Sequence, residues 1–138
     1  MNAKSKGAGF TLIELLMVIG IIIILAGIAI PNFAKAKERT LIKEAIANLK
    51  LIAAAEKIYR MESNPTAYYL SSGTVTDIGA INTNLKLSLN ETNWDYSITG
   101  GTNTFTTYAQ RQLGSYSSCK YSIDQSQEEP VVSSGTCP

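Results

Sequence analysis

The chain has 138 residues, carries twelve Lys and Arg against eleven Asp and Glu, and contains no histidine. That length fits one domain, a net charge of +1 gives no overall attraction for nucleic acid, and the missing imidazole removes the usual general base and the commonest metal ligand. Two cysteines, Cys119 and Cys137, are too few for a zinc site without histidine partners, so composition argues against most hydrolase, metalloenzyme and nucleic-acid-binding functions.

From Phe10 to Ala34 the only ionisable side chain is Glu14. Phe10 to Ile30 forms a 21-residue apolar span. As a helix it reaches about 31 Å, close to the thickness of a hydrocarbon core. A removed secretory signal is the competing reading, but its apolar region is shorter, about 7–15 residues. A retained membrane helix fits the length better. Lys4 and Lys6 precede the span, while Lys35, Lys37, Arg39 and Lys43 follow it. That count places the C-terminal side in the cytoplasm, whereas Cys119 and Cys137 favour an oxidising compartment for that side.

Beyond Pro31, Ile42, Ala45, Ile46, Leu49, Ile52 and Ala53 recur at spacings of three and four, the pattern of one helix face. Lys43, Lys50 and Lys57 repeat along another side, a solvated row without the aromatic interleaving of a nucleic-acid site. The helix is expected to stop at Ser63-Asn64-Pro65 and to bend at Pro31. Residues 64–84 read as an irregular connection, and Leu85, Leu87 and Leu89 as a possible short strand. Trp94, Tyr96 and Ile98 alternate as a strand, Gly100-Gly101 suits a hairpin turn, and Phe105 to Ala109 returns. Tyr116 to Asp124 is a third strand and Gln125 to Gly135 an exposed loop. Three strands need an apolar partner, which the Ile42-to-Ala53 stripe supplies. The fold class is therefore α+β: a long N-terminal helix on a small antiparallel sheet.

A carboxylate in an apolar span is unfavourable when deeply placed, so Glu14 either lies near the interface, reaching headgroups and water and suiting the positive helix end, or has a function. If the chain is cut between Gly9 and Phe10, the new Phe10 ammonium becomes an opposite charge at matched depth. In staggered subunits one chain's amine meets the next chain's Glu14, which fixes register more than it adds stability.

The segment Lys6-Gly7-Ala8-Gly9-Phe10-Thr11-Leu12-Ile13-Glu14-Leu15-Leu16-Met17-Val18, with its aliphatic run to Pro31, closely resembles type IV prepilins of the short-leader, N-methylphenylalanine class, which are related to type II secretion pseudopilins. The resemblance covers about residues 6 to 33. It implies a leader, 1–9; a transmembrane and filament-core helix, 10–30; an amphipathic continuation, 31–62; and a β-rich head, 63–138. It further implies cleavage after Gly9 and N-methylation of Phe10 by a prepilin peptidase/N-methyltransferase. Glu14 would pair with Phe10 during assembly, Pro31 would kink the helix, and a Cys119–Cys137 disulfide would pin the C-terminal loop. The implied topology puts the leader in the cytoplasm and the head outside the inner membrane. The implied partners are membrane lipid, an inner-membrane assembly platform and other copies of the chain in a surface pilus. No enzyme activity, cofactor, metal or specific nucleic acid is implied. A pseudopilin of a short periplasmic fibre is the nearest alternative, and a signal-anchored monomeric binding protein is a more distant one. Many family members have glycine eight residues before the kink proline, where this chain has Ile23 between Gly20 and Gly27.

Overall fold

The computed structural model describes residues 9–62 and 66–138. Residues 1–8 of the expected leader and the expected stop at 63–65 lie outside these. The chain divides into two compact units, residues 1–37 and 38–138.

Helix α1, Leu12–Glu62, runs through both and is continuous as a helix past position 31, which a bend at proline allows. Its apolar stretch is long enough to cross a membrane, and none of that stretch is buried in the chain. From Leu15 to Leu25 every leucine and isoleucine is exposed. An apolar surface that large has no stable place in water, which suits membrane anchoring.

In the second unit, α1 supplies the stripe that the spacing predicts. Ile42, Ala45, Leu49, Ile52 and Ala53 are buried and Ile46 is half-buried. They form one core with Trp94, Tyr96, Ile98, Phe105, Ala109, Tyr121 and Ile123 from the sheet. The architecture is α+β, with five antiparallel strands in the order β1-β2-β3-β4-β5. These are β1 Gly73–Val75, β2 Trp94–Gly101, β3 Thr104–Arg111, β4 Lys120–Asp124 and β5 Val131–Ser134.

Several local expectations are corrected. The 64–84 connection contains β1 and a second helix, α2, Ile78–Leu85. Asp77 caps α2, its Oδ1 accepting from Gly79 N–H at 2.9 Å, and Ile81 and Leu85 are buried. Leu85, Leu87 and Leu89 make no strand. Leu85 ends α2, Lys86 takes a left-handed conformation, and the Asn82 amide bonds both backbone groups of Leu89 at 2.8 Å. Asn82 thus satisfies locally what a ladder would otherwise satisfy.

Gly100 and Gly101 lie within β2, and the β2–β3 turn falls at Thr102-Asn103, with Asn103 at φ 64°. Gly100 serves a close approach instead, since a Cβ there would sit 2.2 Å from the Leu70 carbonyl oxygen. The third strand begins at Lys120 rather than Tyr116, and the expected 125–135 loop holds the short edge strand β5.

Candidate functional site at the start of the long helix

Gly9 and Phe10 precede regular structure and are exposed, Phe10 at 86%. A Cβ built on Gly9 would meet nothing within 4 Å, so no contact within the described residues requires glycine there. The Gly9–Phe10 bond is open to an approaching enzyme.

Thr11 and Glu14 explain why the helix begins where it does. The N–H and hydroxyl of Thr11 donate to Glu14 Oε2 at 2.9 and 2.7 Å, and Glu14 N–H donates to Thr11 Oγ1 at 3.3 Å. This is a reciprocal capping box, which satisfies donors that a helix start otherwise leaves free. Its sequence form, Thr-x-x-Glu, is present in Thr11-Leu12-Ile13-Glu14; a reading of Glu14 as a lone charge overlooks it. One carboxylate oxygen, Oε2, takes both Thr11 bonds. Among the described residues Oε1 accepts none.

The head places its own predicted pair. Cys119 and Cys137 form a disulfide with Cα atoms 4.9 Å apart. The approach needs a special backbone at Gly135, whose φ is 78° and where a Cβ would sit 1.8 Å from the Ser118 carbonyl oxygen. The disulfide thereby ties the chain end after β5 to the start of β4.

Two further polar arrangements are absent from the sequence expectations. Arg111 reaches Glu38 through Nε and Nη2, both at 3.2 Å, and donates from Nη1 to Asn93 O at 2.8 Å. The two side chains are 8% and 20% exposed, so this is a shielded, bidentate pair joining α1 to β3. Glu56 is fully buried, its Oε2 accepting from Tyr69 N–H at 2.9 Å and its Oε1 without a partner among the described residues. Burial holds its carboxyl above the ordinary range, against the opposing Tyr69 hydrogen bond.

Of the lysine row, Lys50 pairs with Glu129 in the β4–β5 loop. Among the described residues no three His, Cys, Asp or Glu side chains gather as metal ligands. At the helix start an exposed Gly9–Phe10 pair precedes a capping box in which one Glu14 oxygen takes both Thr11 bonds. This is the segment in which the sequence predicts processing and assembly.

Comparison with known proteins points the same way. The family model described as the prokaryotic N-terminal methylation motif matches residues 4–30. The chain is 49% identical over 59 residues to a type IV major pilin protein, PilA, of Myxococcus xanthus (strain DK1622), covering 43% of this chain and 27% of the relative. It is 33% identical over 64 residues to the type II secretion system core protein G of Escherichia coli (strain K12), covering 46% of this chain and 44% of the relative. The chain thus spans less than half the length of both curated relatives. No solved structure matches. The chain is similar to a type IV pilin and to a type II secretion core protein over less than half of its own length, and its residues 4–30 match the methylation motif.

Proposed function

We propose that the chain is a prepilin, cut after Gly9, N-methylated on the new Phe10 amine and polymerised with other copies into a type IV pilus. The observation that carries this reading is the site at the helix start. An exposed Gly9–Phe10 bond precedes a capped Glu14, one of whose oxygens is unbonded among the described residues, at the head of an apolar helix that none of those residues covers. Before assembly lipid covers that helix; afterwards neighbouring helices do. Each incoming Phe10 ammonium meets Glu14 Oε1 of a neighbour, a pairing that sets stagger because an unmatched charge in that setting is costly. Pro31 bends the helix where the apolar half meets the charged half. The inner-membrane peptidase and assembly platform act on the cytoplasmic side, and the head lies outside. Pili of this kind serve adhesion, twitching motility or DNA uptake.

Intact-mass analysis of assembled material tests processing. The expected species starts at Phe10 and carries one extra methyl group; a retained leader in filaments overturns the proposal. Glu14→Ala is expected to leave the protein made and membrane-inserted while abolishing filaments, and normal fibre growth counts against the pairing.

The match to the secretion core protein favours a second reading, a pseudopilin of a short periplasmic fibre. Electron microscopy separates the two: long surface filaments support the pilus, and fibres confined to the periplasm support the pseudopilus.

A further inference from the structure

The second unit begins at Glu38 of α1, and around that residue lie charges that the fold leaves unused. Lys35, Lys37, Arg39 and Lys43 fall within nine residues of sequence, and all four are exposed on α1. Among the described residues none of them has an ion pair or a hydrogen bond. The acids nearby in sequence do not neutralise them. Glu38 gives both carboxylate oxygens to Arg111, and Glu44 is half-buried. Four free cations thus follow closely on an apolar span that ends at Ile30.

A loop reaches Glu38 from the sheet. Residues 112–119 connect β3 to β4, and a Cβ built on Gly114 would lie 3.9 Å from Glu38 Oε1. Beside that glycine, Leu113 is 71% exposed, a large apolar side chain with no use in the core. The loop contains no acid. Asp95 of β2 stands near its start, with Oδ1 accepting from Gln112 Nε2 at 2.6 Å. Among the described residues the backbone N–H groups of Leu113, Gly114 and Ser115 make no hydrogen bond, so they report directly on anything that shields them.

We propose that this end of the head is a foot that docks on an anionic phospholipid surface, the four cations meeting lipid phosphates and Leu113 entering the acyl boundary. The inference rests on reading α1 as a membrane helix. Lys35 and Lys37 follow Ile30 by five and seven residues, about 8 and 10 Å along a helix. A headgroup layer adds about 5–7 Å to each side of the hydrocarbon, and long basic side chains reach back into it. Cations at that depth attract anionic headgroups, and an apolar side chain beside them adds reversible insertion. A zwitterionic surface offers them no net charge. The competing occupant is a second copy, because residues 63–138 carry six acids against three bases. Leu113 decides between the two: it gains from a hydrocarbon boundary and nothing from a carboxylate surface.

The test reconstitutes the full chain in nanodiscs of phosphatidylcholine, with or without phosphatidylglycerol, and follows amide hydrogen exchange by mass spectrometry. Discs are loaded with one chain or with several. Exchange at residues 112–118 is expected to be about tenfold slower or more in the phosphatidylglycerol discs, and high salt is expected to remove the difference. Lys35→Gln/Lys37→Gln/Arg39→Gln/Lys43→Gln is expected to abolish it and Leu113→Ser to reduce it severalfold, both at an unchanged melting temperature. Lys4→Gln/Lys6→Gln, before the span, is expected to leave it intact. The inference is overturned if exchange is the same in both discs or if the quadruple variant keeps the difference. It is equally overturned if the slowing appears only where several chains share a disc, which assigns the surface to a second copy. Should the quadruple variant lose its fold, Leu113→Ser and the salt dependence of the unaltered chain decide the matter. Retention in pure phosphatidylcholine discs reports on the membrane helix itself, so failure of that premise is distinguishable from failure of the foot. Filament growth plays no part in either readout.

Discussion

Glu56 sits at zero exposure with one oxygen bonded to Tyr69 N–H and the other, among the described residues, to nothing. Its carboxyl is raised above the unfolded value by burial, so the folded head holds this proton more tightly than the unfolded chain does. The contribution is fully favourable below the unfolded value of about 4.5 and is lost as pH rises through the raised folded value. Glu56→Gln keeps an acceptor for Tyr69 and abolishes this pH dependence. Thermal melts are expected to show a gain of a few degrees at neutral pH and little change near pH 4. Position 56 continues the apolar stripe, three beyond Ala53 and four beyond Ile52, so its burial was legible in the sequence. Its partner was not, because Tyr69 arrives through a loop that no periodicity fixes. The same holds for Glu38 and Arg111, 73 residues apart. Arg111→Met leaves a shielded carboxylate unpaired and is expected to destabilise the head by about 3 kcal/mol in denaturant melts, while Glu38→Gln/Arg111→Met together cost less than the sum of the single changes. At the helix start, by contrast, three positions of separation carry the whole device, and Thr11 was readable from local spacing alone.

Among the elements, those with strong periods were legible and those with mixed signals were not. Helix α1 and strands β2 and β3 follow directly from 3.6- and 2-residue alternation. Helix α2 was hidden because Gly79, Asn82, Thr83 and Asn84 are indifferent helix formers. It stands on a cap and on two buried side chains, Ile81 and Leu85. Asp77→Ala is therefore expected to cost about 1 kcal/mol by chemical denaturation, with α2 amides exchanging faster. Strand β5 was hidden for a different reason. All four of its residues are exposed, so no burial pattern distinguishes it from a loop, and only pairing with β4 reveals it. Gly100 suggests a turn by composition but is used for space. Gly100→Ala drives a methyl into Leu70 O and is expected to lower stability by about 2 kcal/mol, within the range for overpacked interiors, with the 66–72 segment displaced in a crystal structure of the variant.

At the scale of the molecule, the disulfide closes a loop over a sequence separation of 18. Cys119→Ala/Cys137→Ala is expected to lose about 3 kcal/mol in the chain-entropy account and to expose β5 and the C-terminus to protease. Equal protease resistance without the disulfide would contradict this. The sheet order has a consequence of another kind. Among the described strands each pairs with its neighbours in sequence, so every pair can zip as soon as its second arm is made. Short-range pairing of this sort is fast. A nascent head would finish building itself early, leaving its sticky strand margins uncovered only briefly.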